Sequence, residues 1–386
     1  MNKILGIIGG GQLGMMLTEA AKNMPLDISK VIVLDPTRNC PAAKVGAEQI
    51  VADFKDESSI RELAERSDII TYEIESGNSS VLKSLESTCE ISPSPETLSI
   101  IQDKFTQKKF LNDNGIAVAK FSEISTKNEL DSKINEFGLP ILLKSRRDAY
   151  DGRGNIKINS IEQVSEALQI FDRKSLMVEQ FIDFEMEVSV IAARSTTGEI
   201  QTFPVVENIH EDNILKMTIA PARINKEISK KAEEIAYKTM EVLRGAGVFG
   251  IEMFVTKNNE VLINEIAPRV HNSGHHTLQS SKTSQFEQHL RSILGMQLGD
   301  TELTYSTIMY NLLGPHNFDG EYNIRKNTDL VRTDNVFLKM YDKLESKPQR
   351  KLGHVNIIDK DNLGIEKLLE QVKILQNDIL IEAKKN

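Results

Sequence analysis

The sequence predicts an α/β unit that gives way to α+β and closes in a small β-rich unit. Three observations predict this. Near the N-terminus an apolar run, "ILGII", meets a glycine-rich turn, continues as a helical stretch and returns as a second apolar run, "VIVLD", which is a βαβ pattern. In the middle of the chain, strands and helices are segregated rather than alternating. From about residue 296 the chain carries short apolar strands and one final helix. At about 100–200 residues per domain, 386 residues suit two or three domains.

The elements follow in order. Residues 4–8 and 31–35 read as buried parallel strands, and "LGMMLTEAAKNM" between them as a helix. "SSIRELAERS" is a polar-faced helix and "DIITYEIES" another strand, which makes residues 1–98 a Rossmann-like domain. "ISPSPETLSIIQDKFTQKKFLNDNG" begins with proline punctuation and continues as a helical run ending at Gly115. The second domain, residues 99–295, holds the strands "LPILLKS", "SLMVEQFI", "MEVSVIAA" and "QTFPVVEN", the glycine-rich loop "AYDGRGN", and the amphipathic helix "ISKKAEEIAYKTMEVLRGAG". It closes with two strands around Asn258-Asn259. Residues 296–386 form the third domain, with "STIMYNLL", "HVNIID" and the helix "GIEKLLEQVKILQ".

Composition narrows the function. A net charge of -9 argues against broad capture of nucleic acid or an anionic membrane. Two cysteines, Cys40 and Cys89, do not make a disulfide scaffold and suit a reducing cytoplasm. The apolar run before the glycines is too short for a signal sequence, and none approaches the roughly 18 residues that span a bilayer.

Gly9, Gly11 and Gly14 fit the spacing G-x-G-x-x-G, and Asp35 lies at about the offset of the acid that holds a nicotinamide ribose. The loop therefore holds either a dinucleotide or some other phosphate. A second signal lies in "IEMFVTKNNEVLINE". If Asn258-Asn259 make a two-residue hairpin turn, Lys257 pairs with Glu260, and counting outward sets Glu252 opposite Glu265. Two facing carboxylates with apolar neighbours repel. Either a hard divalent cation such as Mg2+ compensates them, or the register differs and one glutamate faces water. Lys144 ends an apolar strand and Lys104 follows "QD". Each is a phosphate contact or a solvated lysine. "YDGRG" is a loop carrying its own cation, Arg153. In "MVEQFI" the backbone of Gln180, Phe181 and Ile182 offers a strand edge to a purine, with Glu179 near its amino group. Glu187 could take ribose hydroxyls, the alternative being surface acids. His271 and His275 have zinc-like spacing on a helix, but Pro268 and Gly274 disfavour one there.

Taken together, "GGGQLG", "QDK", "YDGRG", "VEQFIDFEMEVSV", "INEIAPRVHNSGHHT" with "SQFEQHLR", and "YDK" followed by "QRKLGH" resemble the ATP-grasp superfamily. Within it they resemble the ligases that carboxylate aminoimidazole ribonucleotide. The motifs run in family order from residue 9 to residue 354. The resemblance implies an ATP-grasp fold with an N-terminal pre-ATP-grasp domain and a mobile lid at about 118–178. It implies ATP and Mg2+, with bicarbonate and 5-aminoimidazole ribonucleotide as the other substrates. ATP would phosphorylate bicarbonate to carboxyphosphate, whose carboxyl carbon, directly or as CO2, reaches the 5-amino group of the ribonucleotide. Asp151 would accept a hydrogen bond from that amino group. Tyr150, Arg153, Lys343 and a glutamate of "YEIES", Glu73 rather than Glu75, would surround bicarbonate. Lys104, Lys144, His210 and Asn264 would serve ATP, and Glu252 and Glu265 the metal. Arg269, His271, Asn272, Arg350 and Lys351 would meet the ribonucleotide, with Gly11, Gln12 and Leu13 at its 5′-phosphate. Asp35 then has no ligand role.

Ala149 and Asn155 stand where the family often has Gly and Gln, and "SGN" after Glu75 replaces a commonly apolar position. A cytoplasmic homodimer handing its product to a separate mutase is the family's expectation. Two other readings are a formate-dependent glycinamide ribonucleotide transformylase-like ligase and, from a different class, a nicotinamide-binding oxidoreductase or sensor.

Overall fold

The computed structural model describes residues 2–24, 26–147, 154–171, 174–327 and 333–384. The N-terminal domain is a five-stranded parallel sheet in the order Glu48–Ile50, Ile28–Leu34, Lys3–Ile8, Ile69–Tyr72, Glu90–Ile91. Its apolar strands are buried on both faces, as a parallel sheet requires. Leu5, Ile7, Val31 and Val33 pack into one core, and Ile8, Ile32, Leu34 and Ile70 into another. The first core continues through the helix Gln12–Lys22 into Val248, Phe286, Leu290 and Tyr341, so the N-terminal sheet is welded to the rest of the chain. The glycine turn follows the central strand, where the strand order reverses and an open α/β sheet leaves a crevice.

The helical run after residue 94 is two helices, Pro95–Gln102 and Lys104–Asp113. Asp103 breaks it. Its backbone is extended, and its carboxylate accepts the N–H groups of Phe105 and Thr106, which starts a new helix there. Next comes a four-stranded antiparallel sheet in the order Phe121–Ile124, Leu176–Gln180, Ile141–Ser145, Asn155–Ile158. The helices Lys127–Phe137 and Val164–Ile170 cover its core.

A nine-stranded sheet forms the floor of the molecule. Its order is Val261–Ala267, Gly247–Thr256, Phe184–Arg194, Val206–Glu211, Ile214–Ala220, Thr307–Leu313, Lys351–Ile358, Val336–Met340, with Ile200–Thr202 edging Phe184–Arg194. This sheet crosses the expected boundary near residue 296, because Thr307–Leu313 pairs antiparallel with Ile214–Ala220. Helix Ile365–Asp378 covers the far strands. Among the described residues no helix is long and apolar enough to cross a membrane.

Candidate active site

The glycine turn carries its own anion. Gly11 N–H donates to Glu73 Oε1 at 2.5 Å and Gly14 N–H to Glu73 Oε2 at 2.8 Å. Tyr72 pairs in register with Ile8, so Glu73 follows directly beside Gly9. A Cβ on Gly11 would lie 2.8 Å from Glu73 Oε1. The glycines thus admit a carboxylate from the neighbouring strand, which corrects the expectation that the Gly11 amide meets a substrate phosphate. Burial carries the Glu73 carboxyl up to about 7 even though both amides pull it down. Asp35 is a second latch, accepting the N–H groups of Gly10 (2.9 Å) and Thr37 (2.8 Å). The Leu13 side chain belongs to the core, which leaves only its backbone for a ligand. Gln12 does face the site: its Oε1 accepts from Lys343 Nζ at 2.6 Å, and Lys343 also donates to the Lys351 carbonyl at 2.7 Å.

Glu179, expected near a purine amino group, is a buried counter-ion to two lysines. It is 2% exposed and lies between two lysines, Lys108 at 2.9 Å and Lys144 at 2.6 Å. Burial works against its charge, but the two ammonium groups hold it down at about 2. Lys108, which the sequence reading missed, also donates to the Ile263 carbonyl. The signal was a second lysine one helical turn after Lys104. Gln180 to Ile182 link the two sheets. The Gln180 N–H donates to the Lys120 carbonyl, and the Phe181 ring lies 3.7 Å from Lys157 Nζ.

The two metal-candidate glutamates face each other as expected, by an unexpected route. The turn is one residue longer than the sequence reading supposed: Thr256 N–H donates to the Glu260 carbonyl, and Asn259 has φ 60°. On the return strand the register shifts, so that Met253 faces Ile263 while Glu252 faces Glu265. Asn264 is the bulged residue. The extra turn residue and the bulge cancel. Lys104 Nζ lies 2.5 Å from Glu265 Oε1, and Glu265 stays 48% exposed. Burial raises the Glu265 carboxyl, but Lys104 outweighs it and holds the group below its usual range. Glu252 lacks such a partner. Burial, with Glu265 and Glu187 nearby, carries it to about 7, against the pull of His210 and Lys351. No cluster of three or more His, Cys, Asp or Glu side chains among the described residues is placed to hold a metal by itself.

Around this pair stand several of the other predicted residues. Glu187 Oε2 lies 2.8 Å from His210 Nδ1. Burial disfavours the imidazolium, yet the Glu187 carboxylate raises the His210 pKa. His271 Nε2 lies 3.3 Å from Glu252 Oε1. Burial, then Arg269 and Lys351, push its pKa well down, so the ring is neutral. His271 precedes a single short turn, Asn272–Gly274, and His275 is fully buried, so the two do not form a zinc pair. Arg269 pairs with Glu75 at 2.5 Å, while Gln102 donates to the carbonyls of Glu75 and Gly77 at 2.6 Å each. Sequence reasoning assigned Gln102 no role. Arg269 Nε and both polar atoms of the buried Asn272 amide have no hydrogen-bond partner among the described residues. Arg350 lies apart from this cluster in its described contacts, donating to the Glu345 carbonyl. Tyr150, Asp151 and Arg153 lie outside the described residues.

Known proteins share this sequence and fold. The ATP-grasp domain family matches residues 109–286, the ribonucleotide synthetase preATP-grasp domain residues 1–102, and the phosphoribosylaminoimidazole carboxylase C-terminal domain residues 307–368. The Bacillus subtilis N5-carboxyaminoimidazole ribonucleotide synthase is 41% identical over 355 residues, 92% of this chain and 91% of the relative. The crystal structure of the Thermotoga maritima N5-carboxyaminoimidazole ribonucleotide synthetase superposes with a TM-score of 0.88 at 42% identity, covering 99% of this chain and 100% of that one. An Aspergillus clavatus synthase in complex with ADP and 5-aminoimidazole ribonucleotide superposes at 0.87 with 32% identity, covering 97% of this chain and 98% of that one.

Proposed function

The chain belongs to the N5-carboxyaminoimidazole ribonucleotide synthases of the ATP-grasp superfamily, and from that premise we infer how its residues divide the reaction. The activity is the ATP- and bicarbonate-dependent carboxylation of the 5-amino group of 5-aminoimidazole ribonucleotide in purine biosynthesis. A bicarbonate oxygen attacks the γ-phosphorus and ADP leaves. Phosphate leaves, and the amine nitrogen takes the carboxyl carbon, directly or as CO2, and gives up a proton. Bicarbonate is a poor electrophile, and its phosphorylation supplies the leaving group that the amine needs.

The observation that carries the assignment is the grouping of Lys104, Lys144, Glu252, Glu265 and Arg269, whose charges act on one another, with Arg269 Nε and, three residues on, the buried Asn272 amide unpartnered among the described residues. Buried polar atoms without partners are costly in a native protein, and here they suit a nucleotide substrate. Lys104 and Lys144 are fixed charges for the phosphates, and Glu187 with His210 flanks them. Gln180 to Ile182 and Asn264 contribute at the nucleotide. Lys343, fixed by Gln12 and the Lys351 carbonyl, stands with Glu73 on the bicarbonate side, and Lys351 and Arg350 serve the ribonucleotide. Tyr150, Asp151 and Arg153 complete that side by family resemblance.

Glu252 and Glu265 fit Mg2+, since hard oxygen donors on a pair of facing strands match its preference for one or two carboxylates plus phosphate oxygens. When bound, Mg2+ neutralises charge on the β- and γ-phosphates. By the same resemblance the working unit is a cytoplasmic homodimer whose product passes to a separate mutase.

The test compares ADP release with MgATP, bicarbonate and aminoimidazole ribonucleotide against release with MgATP, formate and glycinamide ribonucleotide. Stimulation in the first mixture is expected, and its absence refutes the assignment. Glu265→Gln should abolish turnover in that mixture with the fold retained.

A further inference from the structure

A file of buried hydroxyl and amide groups runs up to Glu252 from behind. Thr218 Oγ1 donates to Asn208 Oδ1 at 3.1 Å, Asn208 Nδ2 to Ser189 Oγ at 2.9 Å, and Ser189 Oγ to Ser273 Oγ at 2.9 Å. Ser273 Oγ lies 2.9 Å from His271 Nδ1, and His271 Nε2 lies 3.3 Å from Glu252 Oε1. Thr218, Ser189 and Ser273 are fully buried, and Asn208 is 5% exposed. The sheet register explains the alignment. Asn208 pairs with Thr218, and Ser189 with Glu252, so these side chains share one polar stripe across four neighbouring strands.

The file has a direction. The Asn208 amide nitrogen can only donate, so Ser189 Oγ accepts from it and passes its own proton toward Ser273. Ser273 Oγ, having accepted, keeps its own proton free to donate to His271 Nδ1. The backbone N–H of Ser273 points at the same nitrogen, at 3.3 Å. A ring nitrogen that receives two donors carries no proton, so the proton of the neutral imidazole sits on Nε2, facing Glu252.

We propose that Ser273, Ser189 and Asn208 are positioning residues for the phosphate end of the site, holding His271 as the Nε2–H tautomer that hydrogen-bonds one oxygen of Glu252 and fixes that carboxylate. The inference rests on the reading of Glu252 as a carboxylate of the cation–phosphate site. Loss of a group bonded directly to a ligating residue, as His271 is placed to be, typically weakens metal affinity by about 10–100-fold, and Ser273 acts through His271 one contact further out.

Two measurements on the full chain test it, and neither uses bicarbonate or aminoimidazole ribonucleotide. In the first, two-bond 1H–15N spectra of histidine-labelled protein, with His271 assigned by its loss in His271→Gln, should show Nε2 protonated and Nδ1 bare. A proton on Nδ1 in the native chain overturns the proposal, and this reading requires no relay variant to fold. In the second, Mn2+ binding in the presence of a non-hydrolysable ATP analogue is followed by electron paramagnetic resonance, with thermal midpoints checking the fold. Ser273→Ala should weaken binding severalfold, short of the roughly 10–100-fold expected for loss of a group bonded directly to the ligand, and Glu252→Gln should weaken it more. If Glu252→Gln weakens binding and Ser273→Ala stays within about twofold, the relay fails while the site reading stands. If neither variant weakens it, both fail.

Discussion

Glu252→Gln should abolish turnover and yet stabilise the nucleotide-free protein above neutral pH. In the native chain the Glu252 carboxyl is carried from 4.5 to about 7, by burial first and by Glu265 and Glu187 beside it. A folded-state pKa above the unfolded value means the folded state resists ionisation. Below about pH 4.5 both states are protonated and the group is neutral to stability. As pH rises toward 7 the unfolded chain ionises first, and stability is lost across that window. At about 1.4 kcal/mol per pH unit, full ionisation costs roughly 3 kcal/mol. The side chain is 24% exposed, which places the figure at the upper end. Glutamine keeps the acceptor for His271 and removes the charge. For 386 residues, about 3 kcal/mol corresponds to a rise of roughly 4 °C in the melting temperature. The chain has no tryptophan, so the assay is calorimetry of both proteins without nucleotide at pH 5 and pH 8. The expected gap is about 1 °C at pH 5, where the unfolded carboxyl has begun to ionise, and roughly 4 °C in favour of Glu252→Gln at pH 8. A variant that melts below the native protein at pH 8, or by a margin independent of pH, refutes the argument that Glu252 is an uncompensated charge.

Three other outcomes follow from the packing. Gly14→Ala places a Cβ 2.6 Å from the Gly9 carbonyl oxygen, while the same change at Gly77 meets nothing within 4 Å. Calorimetry should show a loss of about 1–3 kcal/mol for the first and almost none for the second, and equal midpoints would contradict the tight loop. Lys108→Met leaves Glu179 with one cation and removes the donor to the Ile263 carbonyl. Breaking a buried pair in this way should cost about 3–5 kcal/mol and raise KM for ATP, and an unchanged melting temperature would remove Lys108 from the site. Gln102→Ala releases the carbonyls of Glu75 and Gly77 at about 1 kcal/mol each. Steady-state kinetics should show KM rising for bicarbonate or aminoimidazole ribonucleotide with little change for ATP, whereas a shift confined to ATP would contradict its place beside Arg269.

Local pattern carried a large share of this protein. The continuous apolar runs along Lys3–Ile8 and Ile28–Leu34 are a property of the residues themselves, whereas the halt at Asp103 was read through as one helix and emerged only with the structure. The meeting of Glu252 and Glu265 was legible too, because residues facing across a hairpin are separated by a countable length of chain. Even there the count succeeded through two cancelling departures, a longer turn and a bulge at Asn264, and neither has a period that a sequence displays.

What the sequence by itself determined is therefore what depends on neighbours along the chain: the elements, the hairpin partners and the glycine turn that can accept an anion. Only the tertiary structure decided which charges meet. The anion in the glycine turn is Glu73, because parallel pairing of Ile8 with Tyr72 brings a residue 62 positions from Gly11 against its amide. Glu179 is a buried counter-ion, because the four-stranded sheet sets it between Lys144 on the adjacent strand and Lys108 on a helix. Electrostatic partners are chosen by distance in space, which the fold assigns and the order of residues does not.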